Sequence, residues 1–528
     1  MKTEGYWRGA WQRSTTRRFV LWAVSWRTLR RCLVGVASVL TLFALVIGVI
    51  NWRGGRAWRA HLAELQARGE TVEIAKLAPS VLPEGQNMAD LEPLRSLFDL
   101  KAGEAKEPGV RERLSGFKAP GRNARGNPPE CKLGSLQYDC WTDLAACVEF
   151  YRDLEEDGDW LGGDSDVARL DAYLARYAED LAEVRTAVEG RAHCRFPVEY
   201  DADMPFSILL PHLAPLKGAG GILGLRAIVR LEEGRVEEAF QDVLLGFRLS
   251  AAISEEPILI SHLVRIATLS LDLQVVREGM KRGAWSDDQL GQIAAELAGM
   301  DLVAEGHRAM AGERAFGVGT LEYFRQLGWW RGEKSQMVSL GDGTDTMEDL
   351  MLRFMPDGFY YQNMLKISEL HEQFTIGVYD VAGHRIKKDV TDGFDEVFLS
   401  MPTRPSTIFV KMLMPALSKA TLRTAHMQTL VDAGMVACGV ERCRMARGVL
   451  PERLEVVVPD YLAAVPKDVI SGEGLKYVRS AGGEDWVVYG VGWNSVDDGG
   501  VVGWEGEGAK AKVEVGMGDW VWRVSGKR

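Results

Sequence analysis

The sequence predicts a mainly α-helical protein: a single N-terminal transmembrane helix, a helical exported domain, and a small C-terminal α+β module with an antiparallel sheet. Three observations predict it. Residues 32–52 (CLVGVASVLTLFALVIGVINW) form an uncharged, mostly apolar run. Apolar residues then recur at helical spacing through residues 218–310. Towards the C-terminus the pattern changes to short β-rich runs separated by glycine turns.

The apolar run is long enough to cross a hydrocarbon core of roughly 30 Å at about 1.5 Å per residue. Before it stand Lys2, Arg8, Arg13, Arg17, Arg18, Arg27, Arg30 and Arg31 against one acid, Glu4. After it, Arg53, Arg56, Arg59 and Arg68 are diluted by Glu64 and Glu70. The excess of positive charge ahead of the run places the N-terminus in the cytoplasm and everything past Trp52 across the inner membrane. Trp7, Trp11, Trp22 and Trp26 interleave with the arginines, which suits either an interfacial segment or a disordered basic tail. A cleaved signal peptide has an apolar region of about 7–15 residues and a small-x-small cleavage site. This run is longer and NWRGGRAWRA is a poor site, so an uncleaved anchor is expected.

The expected organisation is a basic tail at 1–31, the membrane helix at 32–52, a mainly helical exported domain at 53–405, and a long helix plus α+β module at 406–528. The net charge of −11 arises despite the basic first 31 residues, so the exported part is acidic. That argues against nucleic acid as a partner and leaves the lipid bilayer and other envelope proteins. Outside the apolar run lie Cys131, Cys140, Cys147, Cys194, Cys438 and Cys443. Disulfides among the first four and free buried thiols are both open. Cys438 and Cys443, five residues apart on one helix, point about 140° from each other and are not expected to bond. No paired CxxC with matching histidines suggests zinc.

Residues 57–75 read as a helix leaving the membrane, and 76–135, rich in Pro, Gly and Lys, as loops with short helices. Residues 141–190 are helical around an acidic loop at 155–166. Asp157, Asp159, Asp164 and Asp166 of that loop are oxygen donors for calcium, but the order of a calcium-binding loop is missing and a solvated loop is favoured. Val236, Phe240, Val243 and Phe247 recur at helical spacing, and Leu263, Ile266, Ala267, Leu269, Leu271 and Leu273 continue an apolar pattern in the next helix. Ser286, with Gln289 three residues on, predicts the cap of a third helix, whose inner face is Leu290, Ile293, Ala294 and Leu297. Residues 231–247 (LEEGRVEEAFQDVLLGF) resemble the middle of a tetratricopeptide repeat through Gly234 and Ala239, with no second copy. GWWRGEKSQMVSLGDGTDTMEDLM reads as a mobile loop, the following FMPDGFYYQNMLKISELHEQF as the lead into a helix, and 406–447 as a long helix ending near Gly448.

After Gly448 come Pro451, Leu454, Val458, Pro459, Tyr461, Leu462, Pro466, Asp468, Gly472, Leu475 and Tyr477, then Tyr489, Gly490 and Gly492, then Asp497, Asp498 and Gly499. In this order the last 80 or so residues resemble the C-terminal region of the type II secretion major pseudopilin. LKYVRS and DWVVYGVG read independently as a hairpin, and Val513, Val515, Trp520, Trp522 and Val524 alternate towards the end. The family's Asp-rich loop binds calcium, so the resemblance implies calcium at Asn494, Asp497 and Asp498. The residues alone also suit a turn chosen for backbone angles, which is favoured. The N-terminus lacks the prepilin pattern, which argues against a processed pilin subunit. The whole arrangement is similar to large, uncharacterised envelope proteins of planctomycete- and verrucomicrobia-type bacteria, a similarity that implies no activity.

No nucleophile elbow, HExxH, phosphate-binding loop or dinucleotide fingerprint occurs. The nearest acid–base pairs are His371 with Glu372 and His307 with Glu313, each expected as a surface or satisfied core group; Glu237 and Glu238 sit on a solvated face. The expectation is a membrane-anchored, non-enzymatic interaction or scaffold protein of the envelope, associated with a secretion or pilus-like system. The alternative is an exported hydrolase with its site in the helical domain.

Overall fold

The computed structural model describes residues 22, 25–98, 136, 140–154, 159–191, 193–326, 355–414, 417–480, 485–506 and 512–525. The basic tail before residue 22, Cys131, Asp157 and the 327–354 segment lie outside the described residues. The protein is mainly helical, with small antiparallel sheets near the C-terminus. By contacts the chain divides into two units.

The first unit comprises Met1–Glu70, Leu321–Lys366 and Thr403–Val410. Its main element is α1, Trp26–Ala67, which starts at Ser25, whose hydroxyl accepts from the Thr28 amide at 3.3 Å. The helix was expected to reach residue 75 but stops at Ala67. Gly69 takes φ +76°, and the Glu70 amide turns back to the Leu65 carbonyl at 2.9 Å, a left-handed helix stop. Gly54 and Gly55 are buried; a Cβ on Gly54 would lie 2.6 Å from the Gly358 carbonyl oxygen. The Gly358 amide donates to the Asn51 side chain at 2.7 Å. Asn363 ties the same unit together, donating to the Pro405 carbonyl at 2.8 Å and accepting from the Phe409 amide at 3.1 Å.

The second unit comprises Thr71–Thr320, Ile367–Pro402 and Lys411–Arg528. Its helices are α2 (Leu144–Leu154), α3 (Asp166–Leu174), α4 (Ala178–Val188), α5 (Leu213–Glu232), α6 (Val236–Ala251), α7 (Leu259–Lys281), α8 (Asp287–Ala298) and the bulk of α9 (Leu302–Gln326). Then come the end of α10 (Asp357–His371), α11 (Lys388–Ser400), the end of α12 (Ile408–Leu413) and α13 (Leu417–Arg447). The α5–α6 hairpin turns on Gly234 at φ +75° with Ala239 fully buried, as the spacing suggested. The Ser286 capping box opens α8 as predicted. Gly448, at φ +73°, follows the last residue of α13.

One apolar cluster joins α6, α7, α8 and α13 to the C-terminal sheet through Phe247, Leu269, Ile293, Val436 and Trp522. A second joins α2 to α5 through Tyr151, Leu170, Leu181 and Ile222. Each such side chain, fully buried, contributes about 1.5–3 kcal/mol. Nearly every residue of α13 from Ala420 to Cys443 is buried, polar ones included, so it is a central helix rather than an amphipathic one.

The C-terminal sheet has the order β3 (Lys476–Arg479), β4 (Trp486–Gly490), β7 (Trp520–Val524), all antiparallel. The helix-plus-antiparallel-sheet arrangement agrees with the sequence. Trp522 stacks on α13 where Gly434 leaves room: a Cβ there would sit 3.0 Å from the indole. β5 (Val502–Glu505) and β6 (Lys512–Gly518) form a separate hairpin. A two-residue-strand hairpin, β1 (Tyr379–Asp380) with β2 (Arg385–Ile386), was not foreseen. The described cysteines are free thiols, and burial raises Cys147 to about 12 and pushes Cys194 and Cys438 well up.

Candidate functional site

The Asp-rich loop follows β4. Asp497 is engaged on both oxygens: Lys476 Nζ lies 2.8 Å from Oδ2, and Tyr489 donates its hydroxyl to Oδ1 at 3.0 Å. The Lys476 ammonium, then the Gly499 amide, hold Asp497 below the usual carboxylate range. Asn494 donates to Asp498 at 2.8 Å and accepts from the Val496 amide at 3.1 Å. All three side chains are exposed. Asp519, which sequence reading missed, lies fully buried beside the loop. One of its oxygens accepts from the Gly500 amide at 2.7 Å and the other has no hydrogen-bond partner; burial raises its pKa. Among the described residues no three His, Cys, Asp or Glu side chains form a group that could hold a metal ion. The cation bound to Asp497 is this chain's own lysine. In the 155–166 loop, Asp166 pairs with Arg169 at 3.0 Å as Ser165 caps α3.

The acid–base pairs fare differently. His371 is buried, bonded through Nδ1 to Thr375 at 2.8 Å, and driven down to about 3 by burial and then by Arg314. It is a neutral core histidine. His307 and Glu313 lie six residues apart on α9 and so point about 120° from each other.

Other buried clusters carry the residue types of catalysis in arrangements that do not perform it. His212 Nε2 lies 2.8 Å from Glu256 Oε1, while Ser261 donates to Glu256 Oε2. The carboxylate stands between serine and histidine, so no imidazole receives the serine proton, which a nucleophilic triad requires. Phe98 and Phe196 stack over the His212 ring and close it off. Between α7, α9 and α13, His262 bonds Thr424 at 2.9 Å and is lowered to about 3 by burial and by Arg265 and Arg308. Arg265 takes up the Glu305 carboxylate at 2.6 Å.

His384, on the two-residue-strand hairpin at φ +50°, sits between two carboxylates: Nδ1 is 3.4 Å from Asp301 and Nε2 is 3.8 Å from Asp432. Its bond to Asp301, then that to Asp432, raises it to about 10. A permanently protonated imidazole cannot serve as a general base near neutrality. Its surroundings are structural as well: Gln428 caps α9 by accepting from the Leu302 amide at 2.6 Å, and donates to Asp432 at 3.0 Å.

A concave site with a volume of about 290 Å³ lies in the second unit. Ile208 comes from the loop before α5, Pro257 from the turn just before α7, Ile260 from the first turn of α7, and Gly312, Glu313 and Phe316 from one face of α9. The positions i, i+1 and i+4 place the three α9 residues together. Gly312 is required: a Cβ would lie 1.7 Å from the Pro257 carbonyl oxygen, so any side chain would part the two walls. Glu313 is half-buried in this apolar surround, and burial alone raises its carboxyl to about 7. Sequence reading named Glu313 but paired it with His307; the pocket needs three segments distant in sequence, which no local pattern reveals. Compared with known proteins, the chain matches no family model, no curated protein and no solved structure.

Proposed function

We propose that this is a single-pass envelope protein, with a cytoplasmic N-terminus, an extracytoplasmic bulk, and a non-enzymatic role as an interaction or scaffold protein beside a secretion or pilus-like machine. The observation that carries the reading is α1. Its most apolar stretch has a mean hydropathy of 2.7 and buries none of its residues. Leu33, Val39, Leu42 and Phe43 are all more than half exposed. Left in water, each would forgo about 1.5–3 kcal/mol of burial, which a bilayer supplies. The hydroxyls inside the run are satisfied within the helix, Ser38 on the Val34 carbonyl and Thr41 on the Ala37 carbonyl, both at 2.8 Å. Hydrocarbon demands that such polar atoms be paired within the helix. The other long apolar helix, α7, has a mean hydropathy of only 1.4 and lies mostly inside the protein.

His212, His262, His371 and His384 are each bonded or paired to a neighbouring side chain, which supports reading these clusters as structural. Among the described residues, Glu313 is the one carboxylate lining the concave site, whereas glycoside hydrolysis takes two facing carboxylates. The pseudopilin-like order of residues after Gly448 is the support for a secretion or pilus-like setting. In-cell crosslinking of the membrane-embedded protein, followed by affinity capture and mass spectrometry, tests the reading. Secretion or pilus components crosslinked to residues 448–528 are expected. Recovery of the protein alone would overturn it.

A further inference from the structure

The Glu313 cavity is an unusual use of a carboxylate. No hydrogen bond or ion pair of Glu313 occurs among the described residues, and burial is the only influence on its carboxyl. The facing walls offer it no charge, since Ile208, Pro257 and Ile260 are apolar. On its own helix Arg314 is committed to the Thr71 carbonyl at 3.2 Å and Arg308 to the Ser254 carbonyl at 2.8 Å. At the mouth, Phe206 and Ile260 are each half or more exposed, and the Phe206 ring stands edge-on to Phe316 at 4.7 Å. An isolated desolvated carboxyl in an apolar cleft is costly, and exposed apolar residues around a cleft mark a binding surface.

We propose that this cavity binds a primary ammonium group carried on an aliphatic stem. The stem lies along Ile208, Ile260 and Phe316, and the ammonium donates to Glu313. The alternatives fit less well. A carboxylate ligand meets like charge, and a neutral alkyl group leaves Glu313 desolvated and unpaired. A divalent hard cation needs six or so oxygens and the cavity supplies one carboxyl. A guanidinium brings five donors to that single acceptor group, whereas an ammonium brings three. The cavity is at the small end of ligand sites, which suits a short stem. The proposal holds whether the ammonium belongs to a free amine or to a lysine side chain, and it does not depend on the membrane reading.

The test uses the full chain in detergent micelles and isothermal titration. The probes are n-hexylammonium, n-hexanol, hexanoate and the peptide acetyl-Leu-Lys-Leu-amide. At pH 8, n-hexylammonium or the peptide should bind the native chain about tenfold or more tightly than the Glu313→Gln variant, as expected for a charge-assisted bond. Binding by n-hexylammonium identifies a free amine as sufficient; binding by the peptide alone identifies lysine as the source. Affinity should fall from pH 8 to pH 6 as Glu313 takes up a proton, and binding at pH 7 should release protons to the buffer. Glu313→Gln keeps the side-chain shape and breaks no bond, and its melting curve verifies folding. Equal affinity in the variant, n-hexanol binding as tightly as n-hexylammonium, pH-independent affinity, or no binding by either amine would each overturn the assignment.

Discussion

His384 and Glu313 show one physical rule acting with opposite sign. His384 is held between Asp301 and Asp432 and raised to about 10 from an ordinary 6.5. The folded state therefore holds a proton that the unfolded chain releases between those values, and the stabilisation is complete below about 6.5 and lost as pH rises through about 10. The melting temperature of the native chain should exceed that of His384→Gln by an amount that is constant below pH 6.5 and shrinks steadily towards pH 10.5. Glu313 is a carboxyl raised from 4.5 to about 7 with no partner. Here the folded state again keeps the proton longer, so its effect on stability is neutral below about 4.5 and turns unfavourable as pH rises to 7. Glu313→Gln should leave melting unchanged at pH 4 and raise it relative to the native chain at pH 7.5. At this scale the sequence was informative about residue type and silent about company. Asn494, Asp497 and Asp498 were legible as a turn rich in oxygen ligands. That Lys476, 21 residues earlier, would take Asp497 was not, because strand register decides it.

Elements were more legible than sites. Ser286 and Gln289 form the capping box their spacing implies, and Ser286→Ala should cost about 1 kcal/mol in denaturant unfolding. LKYVRS and DWVVYGVG pair as expected, with Tyr477 opposite Val488. The hairpin at residues 379–386 escaped notice because two-residue strands are too short to show an alternating period. The place of α13 was equally hidden. A helix buried on most of its sides carries no clear amphipathic stripe, and small residues let it pack, Gly434 against Trp522 and Gly439 against Leu462. Gly434→Val should press on Trp522 and cost about 1–3 kcal/mol, read as a lower denaturant midpoint with an unchanged slope.

At the scale of the whole molecule, helical predominance and the late antiparallel sheet follow from composition and period. The division of the chain does not. Residues 321–366 and 403–410 group with the first 70 residues although each is flanked by segments of the other unit, a product of long-range contacts invisible to a local pattern. Membrane anchoring predicts that the full chain stays in the pellet after extraction with alkaline carbonate, whereas a chain beginning at Arg53 is released. Burial also makes a prediction for the thiols. Cys147 and Cys438 are buried and pushed up in pKa, so maleimide should label them only after denaturation.

The uninterrupted course of α1 has a mechanical consequence. Forty-two residues of helix form a shaft about 63 Å long, with the Gly54–Gly358 contact as its bearing in the first unit. A shaft without a joint transmits angle. One alanine inserted between Leu45 and Val46 would turn the whole preceding segment by about 100° while leaving the bearing seated. Under the proposed anchoring, lipid, isotropic around the shaft, would not register the change, whereas a membrane helix gripping a particular side of residues 26–45 would lose its hold. The phase of this helix thereby distinguishes a mere tether from a torque-coupled partner.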